Sequence, residues 1–287
     1  MTPHFSDRLL AACHAKGAPV CVGLDPVIER LPAAIDRANA VTAIEAFSTA
    51  IVDAVAEVVP AVKPQSACYE RYGAAGVAVY HKVVERAKRA GLVVVGDAKR
   101  GDIGTSSAHY AAGLLDEPHG CDALTVNGYL GGDGLEPFQA VAAEAGKGLF
   151  VLVRTSNPGG DAIQSLRLED GRSVSEAVGD VVAEVGADCI GERGYSNVGM
   201  VVGATKPEDA AQLRERYPRQ LFLVPGFGAQ GGGADDVKAC FKADGTGALI
   251  TASRSVIYAF SDGDRDWRRS VSDAARSLRD EVAGILR

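Results

Sequence analysis

Eight short apolar runs, each passing at its carboxyl end into a polar or charged residue and then into a helical stretch, constrain this chain more than any other feature. They lie at 20–24, 61–65, 92–95, 123–126, 149–153, 200–205, 221–225 and 248–251. Strands without polar alternation cannot turn a face to water, so such runs belong to a parallel sheet covered on both sides. Between them the periodicity predicts helices over about 41–58, 76–90, 105–115, 135–145, 173–185, 207–216 and 234–243, with a last one from about Asp264 onward. An opening helix, capped by Ser6 and ended by Gly17, precedes the first strand and is expected to close one end of the core. Eight βα repeats within 287 residues predict a single (β/α)8 TIM barrel over residues 1–287 with an N-terminal helix, in the α/β class. An open doubly wound sheet is the alternative, but no GxGxxG opens the first helix.

Composition narrows the function. Hydrophobic residues make up 47% of the chain, enough for a large core. The net charge is −7 and no Lys/Arg run exceeds two, as at Arg268-Arg269, so a nucleic-acid partner is not expected. Six cysteines occur without a CxxC, no signal-like apolar stretch follows Met1, and no apolar run approaches the roughly 20 residues a membrane span needs. These features predict reduced thiols in a cytoplasmic protein that does not enter membranes. The five histidines are dispersed and propose no metal site.

In a barrel of this kind the strand ends at Asp25, Lys63, Asp97, Lys99, Asn127, Ser156, Thr205, Pro225 and Arg254 crowd around one mouth. The centre of the pattern is Gly96-Asp97-Ala98-Lys99-Arg100-Gly101-Asp102-Ile103. Asp97 and Lys99 are two apart, which puts opposite charges on one face of an extended chain, while Asp102 lies past Gly101. Taken alone, such a pair could equally be an ion pair that solvates a loop. The glycines of 225–233 let backbone amides approach a ligand closely, and Ala252-Ser253-Arg254-Ser255 follows the eighth strand, the place where these barrels hold phosphate. A flexible loop beside a surface arginine is the plainer reading. Segment 156–172 has no period, which suggests a functional loop, and Ser173 with Glu176 forms a capping-box pattern that starts the next helix. No GxSxG elbow occurs.

These residues resemble the orotidine 5′-phosphate decarboxylase family, in its longer bacterial form. The resemblance rests on CVGLDP at 21–26, VKPQ at 62–65, GDAKRGDI at 96–103, TSNP at 155–158, PGFGAQGG at 225–232 and SRSVIY at 253–258. It implies cofactor-free loss of CO2 from orotidine 5′-phosphate, giving uridine 5′-phosphate in pyrimidine synthesis. Lys99 would then deliver the proton to C6, with Asp97 beside the leaving carboxylate and Lys63 holding the charge network and contacting the ribose. Asp25 would bind a ribose hydroxyl and Ser156 the pyrimidine ring, while Gln230 and Arg254 would hold the phosphate, with Pro225 and the Ser253 amide beside them. Asp102, with Ile103, would enter a partner's site, so the resemblance also implies a homodimer. Three positions depart from the family: Ser106 replaces the threonine of shorter members at the cross-subunit contact, Ser253 replaces a glycine, and Asn127 stands where histidine is frequent. The same-fold alternative is a Mg²⁺-dependent sugar-phosphate decarboxylase or hexulose-phosphate synthase using Asp97 and a neighbouring acid as ligands. A Schiff-base aldolase is disfavoured because flanking acids keep a lysine protonated. A phosphate-ligand binding barrel without turnover is the non-enzymatic reading.

Overall fold

The computed structural model describes residues 3–228 and 233–287. Its strands are β1 (Val20–Leu24), β2 (Ala61–Pro64), β3 (Val93–Arg100), β4 (Ala123–Asn127), β5 (Gly148–Arg154), β6 (Val198–Val202), β7 (Phe222–Pro225) and β8 (Ala248–Ala252). All neighbours are parallel, and β8 returns to β1 through Val20↔Ile250, Cys21↔Thr251 and Val22↔Ala252, closing the barrel the sequence predicts. Around and between the strands lie α1 (Phe5–Lys16), α2 (Ala40–Val55), α3 (Ala67–Glu70), α4 (Gly73–Arg89), α5 (Gly104–Leu115), α6 (Gly132–Glu144), α7 (Asp161–Gln164), α8 (Val174–Val185), α9 (Pro207–Arg216), α10 (Ala234–Lys238), α11 (Arg254–Ile257) and α12 (Trp267–Ile285). None of these helices is long and apolar enough to cross a membrane.

Alternation along each strand divides the core in two. Val20, Val22 and Leu24 of β1, Val94 of β3, Leu124 and Val126 of β4 and Ile250 of β8 pack outward under the helices. Cys21, Ala61, Val93, Val95, Ala123, Phe150, Val201, Leu221, Leu223 and Leu249 pack together inside the barrel. Continuing each inward series toward the carboxyl end replaces these small apolar residues with polar ones: Lys63 on β2, Asp97 on β3, Thr125 on β4, Thr251 on β8. The amino end is filled by α1, whose Phe5, Leu9 and Cys13 join the inner cluster. The Phe5 ring meets Phe150 edge-on at 5.9 Å, and Arg8 pairs with Asp122 at 2.7 Å. Burial of side chains of the Phe5 and Leu9 kind stabilises by about 1.5–3 kcal/mol each.

Three local expectations are corrected. Ser6 does not cap α1; the residue at the cap is His4, whose imidazole Nδ1 lies 2.8 Å from the Ser6 hydroxyl oxygen, and that hydroxyl donates to the carbonyl of Tyr195 across the barrel end at 3.0 Å. β3 does not stop at residue 95 but continues through the charged stretch to Arg100. Segment 156–172 is not devoid of structure, because it holds a 3₁₀ turn at Pro158–Gly160, then α7, then a bridge between Arg167 and Ser173. The capping box of Ser173 and Glu176 is present at the start of α8.

Candidate active site

At the carboxyl end of the barrel a cavity of about 420 Å³ is lined by the last inward residues of the strands and by the loops that follow them. Asp25, Lys63, Asp97, Lys99, Ser156, Pro225, Ser253 and Arg254 all border it, so residues more than 200 positions apart in the chain share one volume. A cavity of this size suits a nucleotide-sized ligand.

Asp97 is its electrostatic centre. The carboxylate is buried, and each oxygen accepts two hydrogen bonds: Oδ2 from Lys63 Nζ at 2.5 Å and Gln65 Nε2 at 3.1 Å, Oδ1 from Lys99 Nζ at 2.5 Å and Thr125 Oγ1 at 3.1 Å. Four donors use the lone-pair sites a carboxylate has. Burial by itself would push the Asp97 carboxyl up, but the Lys63 and Lys99 ammonium groups outweigh it and hold it down at about 2. For Lys63, burial acts to lower the pKa, and the Asp97 and Asp25 charges reverse this and raise it. Lys63 is thus a permanent buried cation. Lys99 has the same counter-ion but leaves 47% of its side chain open to the cavity.

Lys99 reaches this position through an irregularity in β3. Its φ is +48°, the left-handed region that costs an L-residue energy, and the β3–β4 register slips between Gly96↔Leu124 and Arg100↔Val126. Thr125 holds the slip, since its Oγ1 accepts from both the Ala98 and Lys99 amides at 3.0 Å. Plain alternation is therefore not what brings residues 97 and 99 together. Thr125 is the participant the sequence reading missed. The signal was a hydroxyl at an inward position next to the end of an otherwise apolar strand. Thr251 of β8 was missed in the same way, and Gln65 and Thr155, which stand in the VKPQ and TSNP motifs, also line the cavity without having been assigned a part.

On the opposite wall Ser253 has a role beyond its amide: its hydroxyl donates to Asp25 Oδ2 at 2.6 Å. Gly23 permits this, because a Cβ there would lie 2.8 Å from that of Ser253. The other Asp25 oxygen, Oδ1, is buried with no hydrogen-bond partner among the described residues. Arg254 begins α11 at the mouth, exposed and without an ion pair to the described residues. Ser156 is fixed from the β6 side, where Thr205 Oγ1 donates to its carbonyl at 3.0 Å.

Not every expected residue is here. Asn127 is exposed and outside the cavity; its Oδ1 instead accepts from the Tyr129 amide at 3.0 Å, closing a turn, and Thr125 two residues earlier is the β4 residue that faces the site. Asp102, Ile103 and Ser106 lie at the start of α5, outside the cavity of their own chain. Gln230 falls outside the described residues.

Comparison with known proteins identifies the family. The model of the orotidine 5′-phosphate decarboxylase / HUMPS family matches residues 18–268. The chain is 40% identical over 300 aligned residues to an orotidine 5′-phosphate decarboxylase of Rhodopirellula baltica, covering 98% of this chain and 99% of that protein. It is 41% identical over 290 residues to that of Deinococcus radiodurans, covering 100% and 99%. Among solved structures, one from Streptomyces avermitilis described as an orotidine 5′-phosphate decarboxylase matches with a TM-score of 0.84 at 37% identity, over 99% of this chain and 96% of that one. The Leishmania donovani OMP decarboxylase matches with a TM-score of 0.79 at 33% identity, over 99% and 98%.

Proposed function

The chain belongs to the orotidine 5′-phosphate decarboxylase / HUMPS family, and from that premise we propose how its residues divide the work of converting orotidine 5′-phosphate to uridine 5′-phosphate and CO2. This decarboxylation is the closing step of UMP biosynthesis. The whole chain acts as one catalytic barrel. Loss of CO2 from C6 leaves a vinyl carbanion with no adjacent electron sink. Lys99 supplies the proton to C6 as the carboxylate departs, and its ammonium, held by Asp97, is aimed at the developing charge. General acid catalysis contributes about 10²- to 10⁴-fold, too little alone for so difficult a cleavage. Preorganised charge in a closed site supplies the larger part. Asp97 lies beside the substrate carboxylate and disfavours it relative to the product, a smaller contribution. Lys63 keeps Asp97 ionised and contacts the ribose, Asp25 Oδ1 takes a ribose hydroxyl, and Ser156 binds the pyrimidine. Arg254, Gln230 and the Ser253 amide hold the phosphate, and Pro225 lines the substrate cavity.

The observation that carries this reading is the Asp97 carboxylate bridging a buried and a half-exposed ammonium in a cavity that Arg254 also borders. It favours a decarboxylase over the Mg²⁺-dependent sugar-phosphate enzymes of the same fold, because the Asp97 lone pairs that a cation would need are taken by four donors. The test follows the fall in orotidine 5′-phosphate absorbance on adding the protein. Turnover is expected to survive EDTA and to vanish in Lys99→Ala; loss with EDTA alone would return the Mg²⁺ reading.

The assembly belongs to the same proposal. Ile103 is 57% exposed and Tyr129 82%, with Leu130 and Tyr110 also exposed. Leu130 and the Asp102 carbonyl both flank the Cβ position of Gly134, which places this apolar surface beside Asp102. A homodimer that covers it and sends Asp102 and Ile103 into the partner's cavity, next to Ser106, accounts for the exposure.

A further inference from the structure

β5 ends in an arginine that is 2% exposed, although it stands at the rim where charges ordinarily reach solvent. Arg154 spends its guanidinium on three side chains of two elements, α7 and α9. Nε donates to Asp209 Oδ2 at 2.5 Å, in the first turn of α9; Nη2 donates to Asp161 Oδ1 at 2.5 Å, at the start of α7; Nη1 reaches Gln164 Oε1 at 3.3 Å. Gln164 Oε1 also accepts from the Thr155 amide at 2.9 Å, and Asp161 has a second cation in Lys206 at 2.7 Å. Between these ties lies Ser156. Its backbone passes so close to β6 that a Cβ at Gly203 would sit 2.7 Å from it, and the Gly203 amide donates to the Arg154 carbonyl at 2.7 Å.

A buried arginine paired with two half-exposed carboxylates is a poor way to gain stability, because the guanidinium must be desolvated and the acids lose little by remaining in water. Its geometry fits another task. A planar fork holding two carboxylates fixes direction as well as distance, and here it pins the start of segment 156–164 to the barrel wall and to α9 together. We propose that Arg154 is a positioning residue that sets Ser156 against the pyrimidine end of the substrate. The proposal rests on the reading of Ser156 given above. Arg154 borders no part of the cavity and acts only through the segment it clamps.

The test is a double-mutant cycle in the full-length protein. Arg154→Met keeps the length of the side chain and removes the fork. It is expected to lower kcat/KM for orotidine 5′-phosphate by about 10- to 100-fold, the scale of a misplacement near 1 Å. Arg154→Lys should retain part of the activity. A phosphate-less substrate assayed with added phosphite should suffer the same factor, since the defect lies at the ring end that both substrates share. In a Ser156→Ala background, Arg154→Met should cost less than about threefold, because the residue it positions is already gone. Full additivity with Ser156→Ala, or a loss confined to phosphite activation, would overturn the proposal. Should Arg154→Met fail to fold, Asp161→Asn, whose carboxylate is half exposed, takes its place in the cycle: non-additivity with Ser156→Ala supports the clamp and wild-type kcat/KM overturns it. If the wild type did not turn over orotidine 5′-phosphate at all, the function would be wrong and not the clamp.

Discussion

Lys99, the proton donor proposed above, carries a backbone penalty. At φ +48° an L-residue gives up roughly 1–2 kcal/mol, while asparagine visits that region at lower cost. Both Lys99→Ala and Lys99→Asn should abolish turnover, but Lys99→Asn should be the more stable by about 1 kcal/mol, a rise of about 2 °C in melting midpoint over Lys99→Ala. Equal midpoints would mean that the strain is not felt. The carboxylate beside it makes a prediction about acid. Because Asp97 is held at about 2, below its ordinary 3.8, the folded state binds this proton less readily than the unfolded state. Its contribution is therefore fully present above the ordinary value and is lost as pH falls through about 2. The size is on the order of 2 kcal/mol, shared among groups that titrate together. Urea denaturation of the wild type and Asp97→Asn between pH 5 and pH 2.5 should show the gap between them narrowing with acid; parallel curves would remove Asp97 as the cause.

At the level of elements, the roles proposed above separate chemistry from grip. β2, β3 and β4 carry Lys63, Asp97, Lys99 and Thr125, whereas the β8–α11 junction carries Ser253 and Arg254. Phosphate contacts far from C6 can then drive closure and lower the barrier of a remote step. Arg254→Ala is expected to reduce kcat/KM for the whole substrate by orders of magnitude while leaving turnover of a phosphate-less substrate unchanged. Phosphite should stimulate that truncated reaction in the wild type and not in the variant. If phosphite restored nothing in the wild type, the two ends would not be coupled in this way.

At the scale of the whole molecule, α1 fills the amino end of the barrel interior with Phe5 and Leu9, and the cavity that Asp97 and Lys99 border lies at the carboxyl end. In the dimer proposed above, the exposed Ile103 and Tyr129 belong to the face that a second copy covers. Lys99→Ala and Asp102→Ala homodimers should each be nearly inert, and subunit exchange between them should regenerate one site built from intact halves, with activity rising toward a quarter of wild type at equal mixing. This value follows from half of the dimers being mixed and each carrying one working site. A mixture that stays inert while exchange is demonstrated by mass would rule out a shared site.

How much of this could be read in advance follows from the range of the forces involved. The eight strands, the closing helix, and the polar residues at strand ends are consequences of local geometry: alternate side chains face opposite sides of a strand, so Val93, Val95 and Asp97 share a face wherever the strand lies. That logic placed Asp25, Lys63, Asp97, Ser156 and Arg254 at one mouth from the sequence alone, and the family motifs did the same independently. It could not show that Lys99 would turn left-handed, that Thr125 would hold that turn, that Asn127 would fold back onto the Tyr129 amide, or that Arg154 would be buried between Asp161 and Asp209. Each of these depends on which residues of neighbouring strands and loops stand at the same height, and that is fixed by the stagger and register slips of the closed barrel, a property of all eight strands together and of no single stretch.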